Sequence, residues 1–238
     1  MKLTVLKYDL HQIRNDPMLI LSTIAPILIW MILKYIFPIL ATVADNQWSI
    51  DINPYFLHTA VALLTLIPML FGIIYGFILL DERDAGIITA ISVTPLGKSG
   101  YLKLRMTFPV IFSCLAVMVY CITLNISEQL AFGQLFILAL ILSLNAPILL
   151  LFLGAFASNK VEGIAISKGF GLLLTAILID YLVPPPYDWL AGYSPLFWIE
   201  RAYFSTGLNE YIVYTVISLI THLLLFGWLL RKFENKSI

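Results

Sequence analysis

Six stretches of this chain are each long and apolar enough to cross a lipid bilayer. They cover about residues 18–41, 56–80, 106–125, 131–156, 164–183 and 210–230. A spanning helix needs about 20 mostly apolar residues. Barrel strands would be shorter and would alternate apolar with polar positions, so the expected fold is all-α and integral to the membrane. Composition agrees, with 61% hydrophobic and 12% charged residues against about 25% charged in a soluble domain. No soluble domain, internal repeat or low-complexity segment interrupts the pattern, so residues 1–238 read as a single transmembrane domain whose solvent is membrane lipid. The formal net charge is zero, which argues against a nucleic-acid partner.

Basic residues set the orientation. With the N-terminus inside, every one of the 14 Lys and Arg residues except Lys34 and Arg201 falls at the cytoplasmic side. Both termini are therefore expected in the cytoplasm of a multi-pass cell-membrane protein. The outer loops would hold Asp45, Asp51, Glu128 and Asp188, with Trp48, Tyr55, Tyr187, Trp189 and Trp198 as the outer aromatic belt. Leu3, Leu6, Leu10 and Ile13 fall on one stripe, which predicts an N-terminal amphipathic helix lying in the membrane interface. The outer segment 184–209 opens with "VPPPYDW", where three prolines must bend the chain. "SPLFWIERAYF" then returns either as a short helix dipping back into the membrane or as an interfacial loop.

The polar stretch 81–105 contains Gly97-Lys98-Ser99, the end of a phosphate-binding P-loop pattern. The rest of that pattern is missing. Position 92 is serine rather than glycine, and Pro95 removes an N–H donor from the loop. The stretch instead reads as a short amphipathic helix. Asp81, Glu82 and Asp84 stand at its start, Ile87, Ile88 and Ile91 on its stripe, and Thr94-Pro95 at its stop.

The same residues resemble a known family. Glu82-Arg83, Gly86, an apolar run and Thr94-Pro95-Leu96 are similar to the cytoplasmic segment of ABC type-2 transporter permeases. Ile87 departs from the small residue or Thr usual after the glycine. The subgroup resembled is that of small permeases similar to fluoroquinolone and peptide-antibiotic exporters. The resemblance implies a coupling helix between spans two and three. It implies a second permease, either a second copy or a sibling, and a separate cytoplasmic ABC ATPase subunit that carries ATP and Mg. The chain itself would bind no cofactor and catalyse nothing. Asp81, Glu82, Arg83, Asp84, Gly86, Thr94 and Pro95 would be its ATPase-coupling residues, and charge reversal at Glu82 or Arg83 would abolish ATPase association.

Polar and small residues inside the spans are the remaining candidates. Asn145 precedes Pro147, whose missing N–H leaves the Ser143 carbonyl free, so a kink satisfied by Asn145 or a neighbouring helix is expected. His222 is central in span six and reads as an interhelical hydrogen-bonding residue or a pathway contact. Gly72 and Gly76 form a G-x-x-x-G pair suited to close helix approach. Pro26, Pro68 and Pro109 are candidate kinks. Cys114 and Cys121 read as buried apolar residues, and no metal-ligand spacing occurs. A stand-alone secondary transporter or channel would show intramembrane charges or inverted repeats, and no carboxylate reads as lying well inside a span. A non-transporting immunity or sensor subunit could use the same docking helix.

Overall fold

The computed structural model describes residues 2–126 and 130–236, with side chains described from residue 7 onward. Glu128 and the side chains of Leu3 and Leu6 therefore lie outside the described residues. Among the described residues there is no strand. Six helical segments are long and apolar enough to cross a membrane: Pro17–Trp48, Asn53–Asp84, Gly97–Thr123, Phe132–Phe156, Lys160–Leu182 and Leu208–Lys236. They match the six apolar stretches of the sequence.

Helix α1 (Lys2–Asn15) precedes the first span. The chain turns at Asp16, whose carboxylate accepts from the N–H of Met18 at 2.8 Å and caps α2 (Pro17–Met31). Pro17 opens that helix, where its missing N–H costs nothing. The span continues through one π-helical segment, Ile32–Ile36, into α3 (Phe37–Trp48). Pro38 has no N–H to offer the Lys34 carbonyl, and the ladder widens just upstream of it.

Span two is α4, Phe56–Asp84. A short helix α5 (Ile87–Ser92) leads to span three, α6 (Gly97–Thr123). Span four is two helices, α7 (Phe132–Ser143) and α8 (Asn145–Phe156), broken at Leu144. Span five is α9 (Lys160–Ser167) and α10 (Thr175–Leu182), joined by a 3-10 stretch over Lys168–Leu174. Then come α11 (Pro195–Tyr203) and span six, α12 (Leu208–Lys236). Pro26, Pro68 and Pro109 lie inside continuous helices. The interruptions fall at the π segment, at Leu144 and in span five, not at those three prolines.

Spans two and four form the centre of the bundle. In each, 72% of the most apolar window is buried, against 17% in span one and 22% in spans five and six. Gly72 and Gly76 make the central contact possible. A Cβ on Gly72 would lie 2.6 Å from the Ala146 carbonyl oxygen, and one on Gly76 would lie 2.6 Å from Leu153 Cδ1. The G-x-x-x-G pair thus packs span two on span four within the chain. Cys114 and Cys121 are buried and free.

Candidate functional site

The candidate side chains gather at three levels of the bundle. The first is the end that holds both termini. The acids of 81–84 do not start the short helix, as the sequence suggested; they close α4. Gly86, at φ +71°, turns the chain there, and α5 begins after it. Carboxylates at a helix C-terminus face the wrong end of the dipole, so each needs a partner. Glu82 is 3% exposed and accepts from Arg105 Nε at 2.9 Å and from the Tyr101 hydroxyl. Arg105 also donates to Asp9 of α1 at 2.5 Å. Burial raises the pKa of Asp9, with Arg105 opposing that shift. Span two, span three and α1 are thus joined through one buried guanidinium.

Asp81 accepts from Lys160 Nζ at 2.6 Å, and the same ammonium donates to Asp16 at 2.5 Å. Burial acts to raise the Asp16 pKa, but Lys160 and the N–H groups of Met18 and Leu19 outweigh it and hold the group below the ordinary range. Arg83 turns toward span four and donates to the carbonyls of Gly154 at 3.0 Å and Ala157 at 2.8 Å. It satisfies C-terminal carbonyls that the helix itself leaves open. Of the four charged candidates, only Asp84 is exposed.

Helix α5 is anchored by Ile88, which is 7% exposed. Its other side is open: Thr89, Ala90, Ser92, Val93, Thr94 and Pro95 are exposed, Val93 at 86%. Thr94 Oγ1 donates to the Ile91 carbonyl at 2.7 Å, and Gly97 at φ +61° turns the chain into span three.

The second level is the middle of the bundle, where Asn145 and His222 meet. The Asn145 amide donates to the Leu142 carbonyl at 2.9 Å, rather than to Ser143, and to His222 Nε2 at 3.1 Å. His222 Nδ1 donates to the Ser218 carbonyl at 2.8 Å. One ring nitrogen donates and the other accepts, which is the pattern of a neutral imidazole. Pairing across 77 residues explains why a fully buried histidine is tolerated.

The third level is the end opposite the termini. The segment "SPLFWIERAYF" folds back as α11, a helix buried on nearly every side. Ser194 Oγ caps it by accepting from Leu196 N–H at 3.3 Å. Trp198 is 8% exposed and donates to the Gly192 carbonyl, so it is a packing residue and not part of an aromatic belt. The other residues of the expected belt, Trp48, Tyr55, Tyr187 and Trp189, are exposed.

Arg201 of α11 donates to Asp180 of span five at 2.8 Å and pairs with Asp188. Its guanidinium also lies over the rings of Phe197 and Trp189. Glu200, next to it, is 1% exposed. One carboxylate oxygen lies 3.3 Å from His58 Nδ1 of span two, and the other has no hydrogen-bond partner. Burial, reinforced by the negative charge of Asp180 and opposed by Arg201, pushes Glu200 up to about 8. The His58 ring is held between Phe204 at 4.0 Å and Tyr181 at 4.1 Å. A cavity of about 380 Å³ opens beside this pair, walled by spans two and five. The sequence reading looked for a carboxylate only inside the spans, and Glu200, buried in α11 between spans five and six, was not singled out. The signal was present in an acid set within an apolar, proline-initiated segment, "SPLFWIERAYF".

A family model described as fluoroquinolones export permease protein Rv2686c-like matches residues 9–230. The chain belongs to the Rv2686c-like export permease family. Two curated relatives, both from Mycobacterium tuberculosis, are similar over almost the whole chain. They are the fluoroquinolones export permease protein Rv2686c of strain ATCC 25618 / H37Rv and its counterpart MT2760 of strain CDC 1551 / Oshkosh. Each is 25% identical over 232 residues, which cover 96% of this chain and 92% of the relative. No solved structure matches the chain. This permease is thus a multi-pass membrane protein of an exporter family, a transport component rather than an enzyme.

Proposed function

We propose that this permease is the membrane subunit of an ATP-driven ABC exporter, powered by a separate cytoplasmic ATPase that docks on α5. The observation that carries the reading is the construction of the 81–97 turn. Its inner side is fastened to three spans through Glu82, Arg83 and Ile88, while its outer side, with Val93 86% exposed, is open to a partner. A push on that surface reaches span three through Arg105 and span four through Arg83. In this reading Glu82 and Arg83 transmit motion and do not touch the ATPase. The contact falls to Asp84, Thr89, Val93, Thr94 and Pro95.

ATP and Mg belong to the partner, and coupling follows from its two nucleotide states biasing two arrangements of the turn. The asymmetry of Lys and Arg supports a cytoplasmic position for the termini and α5. The lightly buried spans one, five and six supply surface for lipid and for a second permease, either an identical copy or a sibling. An amphipathic or hydrophobic cargo suits the apolar cavity walls, and both curated relatives are named for export of fluoroquinolones.

The test is accumulation of a fluorescent fluoroquinolone in inside-out vesicles carrying the permease and its ATPase. ATP-dependent accumulation that is lost with a hydrolysis-deficient ATPase supports the reading. Accumulation that needs a proton gradient and no ATPase rejects it.

A further inference from the structure

We propose that the cavity between spans two and five binds an amphipathic organic cation, with the Glu200 carboxylate as its counter-ion and the rings of Tyr181 and Tyr55 as its aromatic wall. The inference deepens the export reading by naming a cargo class, and it rests on that reading for its biological meaning.

Charge is the first argument. A carboxylate buried away from water is costly unless it is paired with a cation. Arg201, the nearest guanidinium, is committed to Asp180 and Asp188. Among the described residues, no Lys or Arg pairs with Glu200. The groups facing it are His58 of span two, Asp180 and Tyr181 of span five, Arg201 of its own helix, and Glu210 and Tyr214 of span six. Acids outnumber fixed cations there, so an anionic guest is repelled. A neutral guest could at most donate a hydrogen bond to the second Glu200 oxygen, which has no partner, and would leave the carboxylate charge uncompensated.

Shape and chemistry of the walls are the second argument. The cavity, about 380 Å³, falls in the range of small-molecule sites. Ala62, Leu63, Ile177 and Leu178 offer an apolar bed for the body of a guest. The rings of Tyr181 and Tyr55 beside a carboxylate suit the charged head, through cation–π attraction added to the ion pair, while His58, covered on both faces, supports Tyr181 from behind. His58 is fixed between Tyr181 and Phe204, so the wall is formed before binding.

The site also dictates competition. Burial favours the protonated form of Glu200, so a proton holds the position when no guest does. A binding cation replaces it: the carboxyl O–H bond breaks, its electron pair stays on the carboxylate, and the proton passes to water. Binding therefore strengthens as pH rises through the titration of Glu200.

Ethidium, a permanent aromatic cation, is a suitable probe because it does not titrate in this range. Its fluorescence is followed on the full chain in phosphatidylcholine nanodiscs, with no nucleotide and no ATPase. Affinity is expected to rise on the order of tenfold between pH 6.5 and 8.5. Glu200→Gln should lose about tenfold at pH 8.5 and most of the pH dependence. Anilinonaphthalene sulfonate, an aromatic anion of similar size, should bind both proteins far more weakly than ethidium binds the wild type. Ethidium binding that is independent of pH in the wild type, or equal in Glu200→Gln, overturns the proposal. The pH series uses only the unaltered chain, so it decides the matter even if the variant does not fold. A negative result leaves ATP-driven export standing, because that reading is tested separately in vesicles.

Discussion

Arg105 Nε donates to Glu82 Oε2 at 2.9 Å, with both side chains 3% exposed. A buried guanidinium and carboxylate in contact hold span three to span two at the end that carries α5. Removing one partner strands the other charge, which costs about 3–5 kcal/mol. Glu82→Gln and Arg105→Met should each lower the unfolding temperature in detergent markedly. The double change to Met at both positions should be more stable than Arg105→Met alone, because Glu82 is then no longer stranded, while Asp9 still loses its guanidinium. A double variant no more stable than Arg105→Met would show that the pair does not act as a unit.

The exposed side of α5 should behave differently. Val93→Asp or Thr89→Arg alters surface that supports nothing inside the chain, so unfolding should shift by no more than about 0.5 kcal/mol. Association with the ATPase should fall at least tenfold, read by co-purification at fixed expression. Loss of stability without loss of association would place the partner elsewhere.

Gly72 sets how closely spans two and four approach. A Cβ there would meet the Ala146 carbonyl oxygen at 2.6 Å, and backbone cannot swing aside. Gly72→Ala should destabilise by about 1–3 kcal/mol through overpacking. Gly133→Ala, where nothing lies within 4 Å, serves as the neutral control. Thermal unfolding of the two variants should separate them clearly.

The spans and the short helix α5 were legible in sequence because each depends on local pattern. Twenty apolar residues make a span wherever they occur, and Gly86 and Pro95 punctuate the turn without outside help. The partners of the polar residues were not legible, because they lie far apart in the chain. His58 meets Glu200 across 142 positions, and Asn145 meets His222 across 77. The acids at 81–84 were misplaced for a related reason. They suit a helix start by dipole, but Lys160 and Arg105, both distant in sequence, make a helix end tolerable. Arg201 drew attention as an outer basic residue, while the neighbouring Glu200 was hidden by a segment that reads equally as loop or helix.

Glu200 also predicts a pH dependence of stability. Its folded value is raised from 4.5 to about 8, so the native state holds this proton more tightly than the unfolded one. Its burial is therefore least costly below pH 4.5 and becomes more costly as pH rises toward 8. Relative to Glu200→Gln, the wild type should lose stability between pH 5 and about 8, read as a difference in unfolding temperature. A flat difference across that window would mean the carboxylate is better solvated than its burial implies.

The central claim is that this chain depends on a separate ATPase. It is tested most directly by purifying the tagged permease from its own host in mild detergent and quantifying by mass spectrometry what accompanies it. The account predicts a soluble nucleotide-binding ATPase in stoichiometric amount, lost when Val93 is changed to Asp. Recovery of the permease alone, across several detergents and with the protein folded, would contradict it.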